Sequence, residues 1–514
     1  MTGLRLPERA RRHAVEQRVR RPGSPRCTAT ERMAHMVTEQ QEREDKFDVD
    51  LGFVVPELSD LLPEGGRVEV ATYRLENTYY DTAERDLQRM RLTLRKRVGG
   101  PDAGWHLKIP AGRARTEIHS QSRGRSVPKA LSDPLLGVRR GRDLSPVATI
   151  TTTRDVLRLL DGTGSTVAEV ADDQVESATL GVQSTLQSWR EVEVELGPAG
   201  DEEVLRQIGE RLAEWGAQPS AYSSKLKRAL GDSVDPEPDH QTLAGVLQAY
   251  VSTQCLEVVN GDLGLRLGRP VVHPTRVAVR RLRSTIRVFA TAFDAEQAAA
   301  LEEELVWFAG LLGNVRDREV LSARLLDQVA QLPVEFVLGP VAAHIESTLR
   351  EEQKRFSKPV TEALRSERYL ALLETLNRWR AAPPFTEVAD QPAAAVKAYV
   401  KKAERKLYRR LSQAHGDPDA LHRARKAGKR FRYASELSEP VLGKKAARSV
   451  RHGKKLQTLL GEHQDSVVSA DFLRRQGAAA ATSADQNGFT YGILLAQEWQ
   501  RARDIRRQLK RRFG

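Results

Sequence analysis

The chain has 514 residues, too many for one ordinary domain, and its length favours two to four. Apolar residues make up 40% and charged residues 29%, which excludes a collagen-like or wholly disordered chain, and no run of about 18 apolar residues marks a membrane span. A net charge of +13 points to a polyanionic partner: nucleic acid, an anionic membrane surface or an inorganic phosphate polymer.

Residues 1–36 carry nine Arg against three Glu and no sustained hydrophobic period, so they read as a disordered basic tail. Met33 and Met36 offer alternative starts. No apolar stretch follows the first arginines, so a secretory signal is not expected. The two cysteines, Cys27 and Cys255, exclude a disulfide framework and a Cys-based zinc site, and fit a reducing compartment.

Residues 37–230 read as strands separated by turns. Alternating segments recur at Glu42 to Phe47, Arg91 to Val98, Trp105 to Ile109, Ala148 to Arg154, Thr166 to Asp173 and Trp189 to Leu196. Helical stretches intervene near Val127 to Leu136 and Asp201 to Trp215. Residues 231–240 read as a linker. From 241 to 514 the chain is rich in Ala, Leu, Arg and Glu at helical spacing. There His273, Arg276, Arg280 and Arg283 line up with His422, Arg425, Lys429 and Arg432 at an offset of 149 residues. Leu311-Leu312-Gly313 and Asp317 line up with Leu459-Leu460-Gly461 and Asp465 at 148. Two linked matches at nearly one offset predict two copies of one helical unit, about 241–385 and 390–514.

Side chains alternate across a strand, so i and i+2 share a face. Glu42, Glu44 and Lys46 share one, as do Arg95 and Arg97, His106 and Lys108, Thr152 and Arg154, Glu169 and Asp173, and Glu191, Glu193 and Glu195. One such strand alone reads as a solvated outer face. Six with dense charge of both signs favour a closed barrel with the charges inside, because carboxylates about 7 Å apart along a strand repel unless cations lie between them. Such an interior is neutral only with a hard divalent cation on its acids and phosphate oxygens on its bases.

Glu42-Arg-Glu44-Asp-Lys46 resembles the Glu-x-Glu-x-Lys opening of the CYTH, or triphosphate tunnel metalloenzyme, superfamily. In the family's order there follow Tyr79-Tyr80-Asp81-Thr82, Leu94-Arg95-Lys96-Arg97, Leu107-Lys108, Arg154, Asp173, Glu191-Val-Glu193 and Ser224-Lys225-Leu226. The resemblance covers 37–230 and implies an α+β multidomain protein opening with an antiparallel eight-stranded β-barrel, the tunnel. It implies that Lys46, Arg95, Arg97, Lys108, Arg154 and Lys225 grip a triphosphate. Glu42, Glu44, Asp173, Glu191 and Glu193 would bind Mg²⁺ or Mn²⁺. Asp172 competes with Asp173, but strand parity with Glu169 favours Asp173; Glu195 lies beyond the two acids the family needs.

In the helical half, His273, Arg276, Arg280, Arg283 and Arg287 fall on one helix stripe, and His422, Arg425, Lys429 and Arg432 repeat it. Between Leu421 and Tyr433 stand six Lys/Arg, Arg430 among them, and no acid. Like charges at i, i+4 destabilise a helix, so the stripes suggest a bound polyanion. These motifs resemble the CHAD domain, the conserved-histidine α-helical domain, over 241–514. The resemblance implies an all-α domain of two repeated helical bundles that binds inorganic polyphosphate. Few aromatic residues accompany the stripes, which ranks nucleic acid behind phosphate polymer.

The expected function is a divalent-metal-dependent triphosphatase with a polyphosphate-binding module. It would be cytoplasmic, with no membrane partner, and recruited to polyphosphate granules. The alternatives are a non-catalytic polyphosphate-binding scaffold and a class IV-type adenylyl cyclase.

Overall fold

The computed structural model describes residues 37–513 apart from 113, 123, 182–183, 232–236, 415–416 and 483–486. Of residues 37, 39–42, 512 and 513 it describes the backbone alone. The predicted tail at 1–36, with Cys27, lies outside the described residues.

The first half is built on strands β1 (Val37–Glu42), β2 (Glu44–Asp48), β3 (Arg67–Asp81), β4 (Thr93–Val98), β5 (Gly104–Ala111), β6 (Ala114–Ser120), β7 (Ser145–Leu160), β8 (Thr166–Thr179), β9 (Leu186–Leu196) and β10 (Gln218–Pro219). All pairs are antiparallel, in the order β1-β6-β5-β4-β3-β7-β8-β9-β2-β10. The eight-stranded expectation meets ten strands because one strand is split at Arg43 and because Gln218–Pro219 adds a short ladder to β2. The hydrogen-bonded order is open, but its two ends are joined through Arg43. β1 pairs with β6 and β2 with β9, so a single segment carries the chain from one side of the sheet to the other. Strands β3 and β6 are absent from the sequence-predicted segments.

The outer face of this sheet is apolar. On one side Leu205, Ile208 and Leu212 of helix α1 (Glu202–Glu214) cover Phe47, Val170, Val192 and Val194. Asp201 caps α1 by accepting from the amides of Glu203 and Val204 at 3.0 Å each. On the other side Leu94, Trp105, Leu107 and Ile118 pack with Leu131, Leu135 and Leu263. A short helix, α2 (Lys225–Leu230), closes the first half, capped by Ser224, which accepts from the amide of Lys227 at 3.1 Å.

The second half is helical: α3 (Leu243–Arg266), α4 (Val272–Val288), α5 (Ala295–Ala330), α6 (Val341–Ala363), α7 (Glu367–Ala381), α8 (Val396–Ser412), α9 (Pro418–Leu437), α10 (Lys444–Ala480) and α11 (Phe489–Phe513). Helices α3 to α6 correspond in order to α8 to α11, so the offset seen in two motifs extends to the whole unit. The 36 residues of α5, for example, answer to the 37 of α10. Helix α7 stands outside the repeat and packs on α3. One apolar core runs through both units, from Leu247, Val279 and Phe308 to Leu407, Phe431 and Leu456.

The two halves meet through α3. Val259, Leu263 and Leu267 join the apolar wall of β4–β6. Arg140 donates to Glu374 of α7 at 2.8 Å and to Asp86 at 2.7 Å. Gly137 lies so close to α3 that a Cβ there would fall 1.8 Å from Oδ2 of Asp262. Among the described residues no helix is long and apolar enough to cross a membrane.

Candidate functional site

Strand alternation sends the charged faces inward. Every strand from β2 to β9 contributes to one cavity of about 240 Å³, lined by Glu44, Lys46, Arg95, Arg97, Lys108, Arg154, Glu193 and Lys225, with Arg115, Glu117, Arg158, Glu169 and Glu195. Register explains the convergence: Lys46 faces Glu193, which neighbours Ala171, and Asp173 stands between Arg154 and Glu191.

Asp173, Glu191 and Glu193 form the densest acid group, each with a carboxylate oxygen within 4.8 Å of the others. The Lys225 ammonium sits among them, at 2.8 Å from Asp173, 2.6 Å from Glu191 and 2.7 Å from Glu193. Arg154 grips Asp173 with two bonds of 2.7 and 2.6 Å and reaches Glu193 at 2.6 Å. Lys46 pairs with Glu193 and, at 3.1 Å, with Glu44. Burial alone would raise Glu193, but Lys225, Lys46 and Arg154 hold it well below the usual carboxylate range. Burial likewise opposes the charge on Asp173, and Arg154 and Lys225 overcome it. Glu195 goes the other way: burial raises it, with Glu44 and Glu169 adding to the rise.

The opposite wall is basic. Arg97 donates to Asn77 at 3.0 Å and pairs with Asp102; burial and the adjacent Arg95 pull it down to about 10. Arg95 and Lys108 lie 3.9 and 3.8 Å from Glu117, and His106 Nδ1 lies 2.5 Å from the Glu117 oxygen that faces Arg95. Burial lowers His106 despite that carboxylate.

All six residues expected to bind phosphate therefore meet in one cavity. Of the expected metal ligands, Asp173, Glu191 and Glu193 cluster. Glu191 is held behind the cavity wall by the Trp189 indole N–H at 2.5 Å, and Glu44 stands apart with Arg115 at 3.2 Å. The side chain of Glu42 lies outside the described residues; its backbone is in register with Arg115. Asp172 points outward to Arg190 at 2.6 Å. Asp81 of the Tyr-Tyr-Asp-Thr motif faces no cavity. It accepts from the amides of Thr82, Leu87 and Gln88 and so shapes the turn into β4. Sequence reasoning missed Arg115, Glu117 and Arg158. Arg115 and Glu117 alternate on β6 like the residues of the other charged strands, and that pattern was the available signal.

An all-oxygen donor set that already holds an ammonium ion suits a hard divalent cation.

In the helical half the predicted stripes divide. Arg276, Arg280, Arg425 and Lys429 face one cleft between α4 and α9, with Asp317 at 2.7 Å from Arg276 and Asp465 beside Arg425. Burial and the three guanidiniums push Lys429 down to about 6. Arg283 and Arg287 instead pair with Glu302, near Arg430, and Arg432 pairs with Glu436 at 3.0 Å. Tyr433 accepts from Arg280 at 3.3 Å. His273 is exposed; His422 Nδ1 is 2.9 Å from Gln464.

Comparison with known proteins bears on both halves. Residues 41–222 match the family described as the CYTH domain, and 249–474 match the CHAD domain. An uncharacterized protein of Mycobacterium tuberculosis is 34% identical over 493 residues, covering 91% of this chain and 95% of its own length. Among solved structures, PptA from Streptomyces chartreusis is 18% identical, covering 53% of this chain and 98% of its own, with a TM-score of 0.44. The CHAD domain of the plant Ricinus communis is 24% identical, covering 54% and 95%, with a TM-score of 0.42.

Proposed function

This chain belongs to the proteins in which a CYTH domain is followed by a CHAD domain, and from that premise we propose that it is a divalent-metal-dependent triphosphatase whose helical half binds inorganic polyphosphate. The observation that carries the reading is one cavity in which Glu193, backed by the buried Asp173 and Glu191, is met by a basic wall at Arg95, Arg97 and Lys108. A phosphoanhydride chain needs both walls.

In this reading Asp173, Glu191 and Glu193 hold the ion, with Glu42 and Glu44 as further acids. The bound divalent ion supplies neutralisation of phosphate oxygens and a more acidic water. Arg95, Arg97, Lys108 and Arg154 bind the phosphate oxygens and offset the charge that develops on the leaving pyrophosphate. Lys46, tied to Glu44 and Glu193, fixes the border between the walls. Lys225 stands where the acids converge, so it would compete with a divalent ion for the same carboxylates and, once displaced, would be free to bind phosphate oxygens. In the helical half the cleft of Arg276, Arg280, Arg425 and Lys429 supplies the polyphosphate contacts, raising local substrate or recruiting the enzyme to polyphosphate bodies. His273, Arg283, Arg287, His422, Arg430 and Arg432 flank it.

The test is incubation with Mg²⁺ or Mn²⁺ and either tripolyphosphate or ATP, with orthophosphate, pyrophosphate and cyclic AMP resolved. Tripolyphosphate is expected to give orthophosphate and pyrophosphate, and Lys46→Ala or Glu44→Ala to remove most of that turnover with the fold intact. Near wild-type turnover in both variants counts against the site. Cyclic AMP from ATP makes the protein a cyclase. A scaffold reading draws on Lys225, Arg154 and Lys46, which together balance the three acids; binding of polyphosphate with no turnover on any triphosphate decides for it. Displacement of long-chain polyphosphate by single-stranded DNA at equal phosphate concentration overturns the choice of polymer.

A further inference from the structure

An open groove of about 500 Å³ runs between the two halves. One wall comprises Arg91, Leu92, Ile109 and Pro110; Asn260 and Leu263 stand on the other. The neighbours of the first wall lie inside the tunnel. Thr93 follows Leu92 and Lys108 precedes Ile109, and both line the tunnel cavity. Pro110 is in register with Arg115, which lines it too. Thr93 and Lys108 lie across the wall from Leu92 and Ile109, whereas Pro110, on the same strand face as Lys108 and opposite Arg115, brings the groove to the tunnel rim beside Lys108 and Arg115. At its helical end the groove is lined by Val271, and His273, which opens the basic stripe of α4, follows two residues later, about 3 Å of helix rise. Arg89, which pairs with Asp86 at 3.4 Å, Arg91 and Arg269 line the groove, and among the described residues no carboxylate does. Its sign of charge thus matches the two phosphate sites it separates. Its apolar part is the margin of the contact through Leu92, Ile109 and Leu263 that fixes the halves together, so its two ends keep a set spacing.

We propose that this groove is a path for a phosphate chain: a polyphosphate held in the helical cleft lies along it and enters the tunnel by its end, so that both sites act on one molecule. This rests on the function proposed above. Each turnover breaks the terminal P–O–P link. The oxygen of the attacking water ends on the released orthophosphate, and the bridging oxygen stays with the shortened chain, which is again a substrate.

The experiment uses the full chain and compares Arg91→Glu/Asn260→Glu, both exposed positions, with Lys358→Glu/Ser347→Glu, two exposed positions on α6 that serve as a charge-matched control. Tripolyphosphate turnover is expected to be unchanged in all forms. kcat/KM on long-chain polyphosphate is expected to fall about tenfold or more in the groove variant alone, the effect of losing a charge-assisted contact. Equal rates on long chains in the groove variant and the control overturn the path, as does a wild type that cleaves tripolyphosphate but no long chain. A protein inert toward tripolyphosphate sinks the catalytic reading instead, and the path is then decided by chemical protection. Long-chain polyphosphate, but not tripolyphosphate, should shield Arg91 from phenylglyoxal; identical labelling with and without the long chain ends the proposal.

Discussion

Lys225 and Lys429 show how a lysine can be set to opposite tasks. Lys225 is buried among three carboxylates, which keep its charge in place against the cost of burial. Replacing it with Met takes the counter-charge from the buried Glu191, while Arg154 and Lys46 still hold Asp173 and Glu193, and the metal-free protein should lose about 3 kcal/mol of stability. Added Mn²⁺ should restore much of the melting temperature, because it takes the vacated place; a melt indifferent to Mn²⁺ refutes the assignment of the acid group as a cation site. Lys429 is crowded by Arg425 on its own helix and by Arg276 and Arg280 on α4, with Asp317 of α5 as the nearest counter-charge, and its amine sheds its proton above about 6. A bound polyanion favours the ammonium form. The complex then carries more protons than the free protein, and linkage makes affinity rise as pH falls toward about 6 and level off below it. Lys429→Arg, which stays charged, should flatten the profile in binding titrations across pH. A wild-type affinity that does not change with pH contradicts this account.

At the scale of elements, much of the site was legible because charge and hydrophobicity alternate strictly on β5 and β9, and on β4 and β8 apart from Lys96 and Asp172. Two strands were not. On β6 only Ile118 is a large apolar residue in the core, and Thr116 and Ser120 fill the neighbouring buried places, so its hydrophobic signal is weak. The first half of β3 is largely exposed on both faces, Val70 included, and lacks the inward periodicity that betrays a strand. Glu117 and Arg115 were lost with β6. The helical stripes had the converse fault. Spacing put Arg276 to Arg287 on one face, but the crossing of α4 and α9 decides which of them meet, and that is a tertiary fact. Helix α2 gives an element-scale test. Ser224→Ala removes its N-cap bond and should lower stability by about 1 kcal/mol. Because the first residue of α2 is Lys225, turnover should drop by more than the melting shift alone explains. A small loss of stability with full activity would show that the cap does not position Lys225.

For the whole molecule, the junction of the two halves is both apolar and ionic. Arg140 is nearly buried and satisfies Asp86, Glu84 and Glu374 together. Arg140→Ala takes the nearest cation from the buried Asp86 carboxylate, leaving Arg89 at 3.4 Å and Arg142 at 3.7 Å, and should cost about 1–3 kcal/mol. Calorimetry is expected to resolve one cooperative transition in the wild type and two in the variant; a single, merely shifted transition would mean that the apolar contact couples the halves without Arg140.

The duplicated bundle is not used evenly. Helix α8 bears seven Lys and Arg and one Glu, whereas its counterpart α3 turns Val259 and Leu263 to the barrel wall. One copy of the outer helix carries a cationic surface, and the other serves as mortar. A fragment cut at the linker would therefore expose greasy surface on both pieces, and each should clump in isolation although its own core is complete.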